Sequence, residues 1–410
     1  MKEEACLDEL LARPLKEDGF VALRGEAEAR ARALALPGAK HESWRLTDLG
    51  YLYGQSYSTP EGPSVLPDID AYRIAGTFRI VFVDGRYSQE LSDLSDDDAV
   101  KIAPLGLEDQ ALHAYFGLSM PDDAFAQLNL RNFSDCAFVH VKDDSGRPIH
   151  VLFVSTRHDK PAACYARCLV VLEGGAQATL IEEYAGEGAY FCNAATEIVL
   201  KDHARLRHVR VQREGSESVH VGNTQVELGR GSNYDSTDVS LGGRLSRHFL
   251  HLSHGREGSE ARLDGLSLTD GRRIADLHTK VDHLWPRCKT VQRHKCIASG
   301  SACAVFSGNI VVHKGASGTD TRQESRNLLL SGRAKIDAQP MLEILNDDVS
   351  CRHGATVGSL DMEALFYLKS RGLSEIEAKK LLIYAFASEI LDRIPLPCLL
   401  ESLKETWRLA

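Results

Sequence analysis

The sequence predicts a mainly β protein, a β-solenoid core between a helical N-terminal region and a helical C-terminal domain. Three observations lead there. From about residue 136 to 355, short β-branched runs such as CAFVHV, CLVVLEG, EIVL and TQVEL follow one another, separated by turn residues and without a sustained helical period. Within that stretch a small residue sits after a turn and before a new strand at Ala176, Ala204, Ser232 and Ser259, a spacing of about 27 to 28 residues. Both ends of the chain carry helical periodicity with recognisable start and stop signals. A period in this range points to stacked units that bury their faces on each other. SGSACAVF and SGRAKIDA read as later copies at wider intervals. A large β-sandwich is the rival architecture, because its strands also alternate with Gly-rich turns.

The predicted divisions are 1–134, 135–358 and 359–410. Residues 1 to about 36 read as helical, with Leu7, Leu10 and Leu11 on one face and a stop at Pro37-Gly38. FRIVFVDGRYS at 78–88 is an apolar strand ending in an Asp-Gly turn. The stretch 106–133 returns to helix, interrupted at Pro121. After the core, LDMEALFYLKSRG groups Leu365, Phe366 and Leu368 and stops at Gly372. Ser374 and Glu377 form a capping box for a helix whose face holds Leu381, Leu382, Tyr384, Ala385 and Ile390, and CLLESLKETWRL closes the chain. This tail must bury its stripe on the β body or on a partner.

With 410 residues the chain can form two or three compact units. A hydrophobic content of 43% and a charged content of 26% fit a soluble globular protein. The net charge of −10, from 48 basic and 58 acidic residues, argues against a nucleic-acid partner. No run of about 18 apolar residues predicts a membrane span. The acidic start MKEEACLDELLARPLKEDGF lacks an apolar signal core, so a cytoplasmic location is expected. Ten irregularly spaced cysteines are then expected as reduced thiols, most of them packing as small hydrophobes.

Motifs for common chemistries are missing. The chain has no G-x-x-x-x-G-K-[ST], no H-E-x-x-H, no C-x-x-C and no G-x-S-x-G, so an ATP site or a stand-alone enzyme is not expected. CYARC places Cys164 and Cys168 on one face of a strand, which reads as structural. In DLHTKVDHLWPRC, His278 and Asp282 share a strand face and His283 points the other way. Together with Asp276 and Cys288 they read as polar strand residues before they read as metal ligands. CRHG is sharper. Cys351 and His353 project to one face with Arg352 opposite. Thiolate and imidazole suit Zn, Cu or iron–sulfur chemistry, but two ligands cannot close a tetrahedral site.

NLLLSGRAKIDAQPMLEILNDDVSCRHGATVGSLDMEALFYLKSRGLS strongly resembles the SufB/SufD family of iron–sulfur cluster assembly proteins. ESWRLTDL, FVDGRYS, AVFSGNIVV, TDTRQ and DLHTKVDH extend the resemblance over most of the chain. The form C-x-HGATVG, and the lack of a cysteine between Cys303 and Cys351, match the D-type branch and not the B-type. VQRHKCIASG departs from the family pattern by carrying Cys296 where glycine is common, and leaves the role of Cys296 open.

The resemblance implies a right-handed parallel β-helix core with helical flanks. It implies a non-catalytic scaffold that pairs with SufB through the β-helices and docks the SufC ATPase on its C-terminal helices. Leu365, Tyr367, Leu381, Tyr384 and Phe386 are the docking candidates. His353, with Cys351 beside it, maps onto the family's interface histidine and is the candidate ligand for a transient cluster. No cofactor is expected to bind firmly, although a reduced flavin is associated with such complexes. An isolated chain could pair with itself as a homodimer through the same surface. A purely structural interaction subunit without a ligand role, a SufB-like paralogue, and a solenoid enzyme acting on carbohydrate are the competing readings.

Overall fold

The computed structural model describes residues 2–60, 66–94, 97–104, 115, 117 and 123–409. Its core consists of two sheets whose strands alternate along the chain. One sheet stacks β2 (Arg86–Tyr87), β1 (Phe78–Val83), β5 (Ile149–Ser155), β7 (Gln177–Gly186), β9 (Arg205–Glu214), β11 (Asn233–Ser240), β13 (Glu260–Thr269), β15 (Lys289–Ala298), β17 (Thr319–Leu329) and β19 (Val349–Ser359). The other stacks β3 (Val100–Pro104), β4 (Ala137–Val141), β6 (Ala162–Leu172), β8 (Tyr190–Leu200), β10 (Val219–Leu228), β12 (Leu245–His254), β14 (Ile274–His283), β16 (Cys303–Val312) and β18 (Lys335–Ile344).

From β4 onward each strand pairs in parallel with the strand two positions further on. That is a parallel β-helix, and the parallel pairing excludes the sandwich, whose sheets are antiparallel. Only the N-terminal end departs from this pattern. There β1 pairs with β2, and β3 with β4, both antiparallel. The β1–β2 turn uses Asp84 and Gly85 at positive φ (51° and 79°), the backbone that a two-residue hairpin needs.

The repeat has a physical origin. Ala176, Ala204, Ser232 and Ser259 are all buried, each immediately before a strand of the first sheet, where the chain turns inward and little room is left for a side chain. Cys288 continues this series before β15. SGSACAVF and SGRAKIDA belong to the opposite corner. Ala302 and Ala334 precede β16 and β18 of the second sheet, which is why they fall out of step.

The solenoid interior is apolar near its start, with Ile80, Phe82, Val139, Val151, Leu172 and Leu206. Further along it also holds polar groups that satisfy one another. Glu182 takes His208 at 3.0 Å, Arg210 pairs with Asp238 at 3.2 Å, and His254 stacks on His283 at 4.3 Å between ring centroids.

The N-terminal helices Lys2–Leu11 and Val21–Leu34 cover the outer face of the second sheet, joined by the helix Ala124–Asn132. Leu7, Leu10 and Leu11 are buried there, as their spacing predicts. Asp123 caps the helix Ala124–Asn132 through the amides of Phe125 and Ala126. The helix expected over 106–122 lies outside the described residues apart from 115 and 117. Asp276 anchors the ESWRLTDL segment. It accepts hydrogen bonds from Thr47 and Arg247, and the Arg247 guanidinium lies 3.8 Å from the Trp44 ring centroid. Burial alone would raise the Asp276 pKa; Arg247 and His278 outweigh it and hold it at about 2.

The C-terminal helices are Met362–Ser370, Glu375–Leu391 and Pro397–Leu409. The capping box of Ser374 and Glu377 is formed. Ala387, Ile390, Leu391, Leu399 and Leu403 pack on Val209, Val239, Leu266 and Ile297 of the first sheet. Glu389 fastens this contact through Arg293 at 3.1 Å and Lys295 at 2.6 Å. No helix among the described residues is long and apolar enough to cross a membrane.

Burial pushes the pKa of His248 and His283 down to about 4 and that of His294 down to about 3. An unfolded histidine titrates near about 6.5, so below that pH the unfolded chain binds more protons than the native one. Stability should therefore be full above about pH 6.5 and fall progressively towards pH 4, each pKa unit being worth about 1.4 kcal/mol. Urea midpoints measured from pH 7.5 to 4 check this, and a midpoint constant over that range would contradict it.

Candidate functional site at the open end of the solenoid

The last coil of the solenoid has no successor. β18 pairs only with β16 and β19 only with β17, so each presents one free row of backbone N–H and C=O groups. Along β19 most residues are exposed, and Met341, Ile344, Leu345 and Val357 are exposed apolar side chains on or beside these two strands.

Cys351 and His353 lie on β19 and continue two columns of inward-facing side chains. Cys351 sits on Thr321 and, below it, Thr290. His353 sits on Gln323 and then Gln292. These four supporting residues are buried, whereas Cys351 is half-buried and His353 exposed. Arg352 continues the outward column of Arg322. The face-sharing expected from the sequence is thus present, and both side chains are presented at the mouth of the solenoid.

The layer beneath is polar and incompletely paired. Gln323 donates to Gln292 Oε1 at 3.4 Å, while Gln323 Oε1, Gln292 Nε2 and Thr321 Oγ1 are buried without hydrogen-bond partners. The side chain of Gln323 fits because residue 308 is glycine, where a Cβ would stand 1.9 Å from Gln323 Nε2. Sequence reasoning missed this glutamine layer, since its members are separated by a whole coil. Burial, and then the Asp320 carboxylate, push the Cys351 thiol up from its ordinary pKa. It is therefore a protonated thiol at neutral pH and binds metal only when a cation displaces the proton. No third His, Cys, Asp or Glu among the described residues joins Cys351 and His353 at ligand distance.

The remaining sequence candidates are placed elsewhere. Asp276 and His278 pair at 2.9 Å, whereas Asp282 takes His251 at 2.7 Å and His313 at 3.0 Å. His283 points inward and Cys288 is a buried corner residue. Cys164 and Cys168 are buried on β6. Cys296 packs with Leu277, Ala298 and Phe306, and burial, with Asp276 and Cys303 adding to it, pushes its pKa up to about 12, so it is core filling.

On the tail, Leu365 is buried. Tyr384 and Phe386 are half-buried against the first sheet. Tyr367 and Leu381 are exposed, and Met362, Phe366 and Ile376 join them as exposed apolar residues of the first two C-terminal helices.

A profile for the SufBD core domain, described as SUF system FeS cluster assembly, matches residues 153–386. The chain belongs to the SufBD family. That match runs from β5 into the helix Glu375–Leu391 and includes Cys351 and His353. The chain is 35% identical over 397 residues to the iron–sulfur cluster assembly SufBD family protein slr0076 of Synechocystis, covering 91% of this chain and 87% of that protein. It is 32% identical to the iron–sulfur cluster assembly protein SufD of Escherichia coli, covering 88% and 85%. It is 30% identical to the chloroplastic protein ABCI7 of Arabidopsis thaliana, covering 96% and 86%. SufBD membership gives the chain a role in iron–sulfur cluster assembly by the Suf system.

The placement of the cysteines predicts their reactivity. Native protein treated with a small alkylating reagent should be modified fastest at exposed Cys398, slowly at half-buried Cys351 and Cys303, and at the seven buried cysteines only after unfolding. Peptide mass spectrometry reads the order, and fast labelling of a buried cysteine would overturn this packing.

Proposed function

We propose that this SufBD protein is a SufD-type scaffold subunit, which pairs with SufB through its open last coil and docks SufC on its C-terminal helical hairpin. The observation that carries the proposal is the uncapped end itself. An exposed double edge with apolar side chains is an aggregation hazard unless a partner covers it. A second solenoid ending in the same way offers the complementary rows of donors and acceptors. His353 then supplies a nitrogen ligand or orients a nascent cluster at the junction, with the missing ligands coming from SufB. Cys351, half-buried beside it, takes the lesser part. The exposed group of Met362, Phe366, Tyr367, Ile376 and Leu381 supports SufC docking. ATP hydrolysis belongs to SufC in this account, and the chain itself is not an enzyme.

Reconstitution with SufB and SufC tests both halves. His353→Ala should lower cluster build-up about tenfold or more while the three-protein complex still assembles. Phe366→Glu combined with Ile376→Glu should release SufC and leave SufB bound. An unchanged cluster yield removes the ligand role of His353 and leaves a purely structural subunit. Retention of SufC by the double variant removes the docking assignment.

A further inference from the structure

A second group of chemistry-bearing side chains lies inside the solenoid, well away from the open end. Cys192 of β8, Glu214 at the end of β9 and His220 of β10 bring a sulfur, a carboxylate oxygen and a ring nitrogen within 4.8 Å of one another. All three are buried. Cys192 and His220 are directly paired across neighbouring coils of the second sheet, and Glu214 enters from the first.

The contacts inside this group are unfinished. His220 Nδ1 stands 2.8 Å from the nearer Glu214 oxygen, yet the two do not meet hydrogen-bond geometry, and Nδ1 has no partner. The Tyr190 hydroxyl is buried beside the Glu214 carboxylate, and burial, then that carboxylate, push its pKa well up. The surroundings are fixed. Arg210 Nη2 lies 2.7 Å from His220 Nε2, and Asp238 holds Arg210 at 3.2 Å. Gln212 donates to Glu214 at 2.9 Å, and the Tyr184 ring packs against His220 at 4.7 Å between centroids.

We propose that Cys192, Glu214 and His220 form a buried structural site for one Zn²⁺ ion. Thiolate, imidazole nitrogen and carboxylate oxygen are the donors Zn²⁺ takes, and a sulfur in the set disfavours Mg²⁺ and Ca²⁺. The fourth position falls to an oxygen, for which the Tyr190 hydroxyl beside Glu214 is the neighbouring group.

Charge balance favours a divalent ion. Arg210 donates to Nε2, so the metal-free ring carries its proton on Nδ1. Zn²⁺ takes Nδ1 while that proton moves to Nε2, and it displaces the thiol proton of Cys192. An S–Zn and an N–Zn bond form, the S–H bond breaks, the ring keeps one N–H as a neutral imidazole, and one proton leaves for two positive charges gained. The metal, thiolate and carboxylate then sum to zero, which avoids the large cost of an uncompensated charge in the interior. Arg210 gives up Nε2 and keeps Asp238. The site does not depend on SufB, SufC or the proposed role of His353.

Because the group is buried, loading must accompany folding. The full chain is therefore unfolded and refolded with Zn²⁺ or Co²⁺, passed through a desalting column, and assayed for metal by mass spectrometry. Wild type should retain about one Zn²⁺ per chain. Cys192→Ala and His220→Gln should each lower this about tenfold or more, while Cys296→Ala retains it. Cobalt-refolded wild type should show thiolate-to-cobalt absorption that Cys192→Ala lacks. Cys192→Ala is a small-for-small change and decides the matter if His220→Gln does not refold. Wild type holding no more metal than Cys192→Ala, whether both are loaded or both empty, overturns the site.

Discussion

Each coil of this protein is held by the next. The strands stack in parallel and in register, so the backbone groups on one side of a strand are satisfied only by the strand two positions on. A column of that kind needs a device at each end. At the start the chain provides its own, by turning β2 and β3 antiparallel and packing helices alongside. At the other end it provides none: the chain leaves β19 through Leu360 for the helices, and these pack on the side of the first sheet. The open edge, the presentation of Cys351 and His353, and the apolar residues around them all follow from that asymmetry.

In-register stacking also governs which side chains meet. Residues one coil apart are neighbours whatever lies between them in sequence. This places His353 over Gln323 and Gln292, and it builds an interior in which arginine, histidine and carboxylate groups pair along the axis. Such an interior is stable only while its members remain partnered and correctly protonated.

The same rule explains what could be read from the sequence. The corner residues Ala176, Ala204, Ser232 and Ser259 revealed the coil length because a corner admits only small side chains. Copies at Ala302 and Ala334 looked irregular because they mark the other corner. Strand alternation correctly separated His283 from His278 and Asp282, and Cys351 and His353 from Arg352. Contacts across coils were hidden in any single motif. CYARC was read as a pair within one strand, yet Cys164 pairs with Cys192 and Cys192 with His220 on successive coils. Applying the 28-residue step to the cysteines and histidines would have found that column. On the tail the apolar stripe was legible, but not which part of it the first sheet covers. Leu365 and Phe366 are adjacent in sequence, and one is buried and the other exposed.

The central claim is that the last coil is completed by a second protein. Amide hydrogen exchange tests it most directly, because it reads the unpaired backbone groups themselves. In the isolated chain, peptides covering 335–359 should exchange much faster than those of the inner coils. On addition of SufB they should become protected, with the inner coils and the N-terminal end unchanged. Exchange over 335–359 that stays fast in a complex with SufB would contradict the account, because pairing would then take place elsewhere on the molecule.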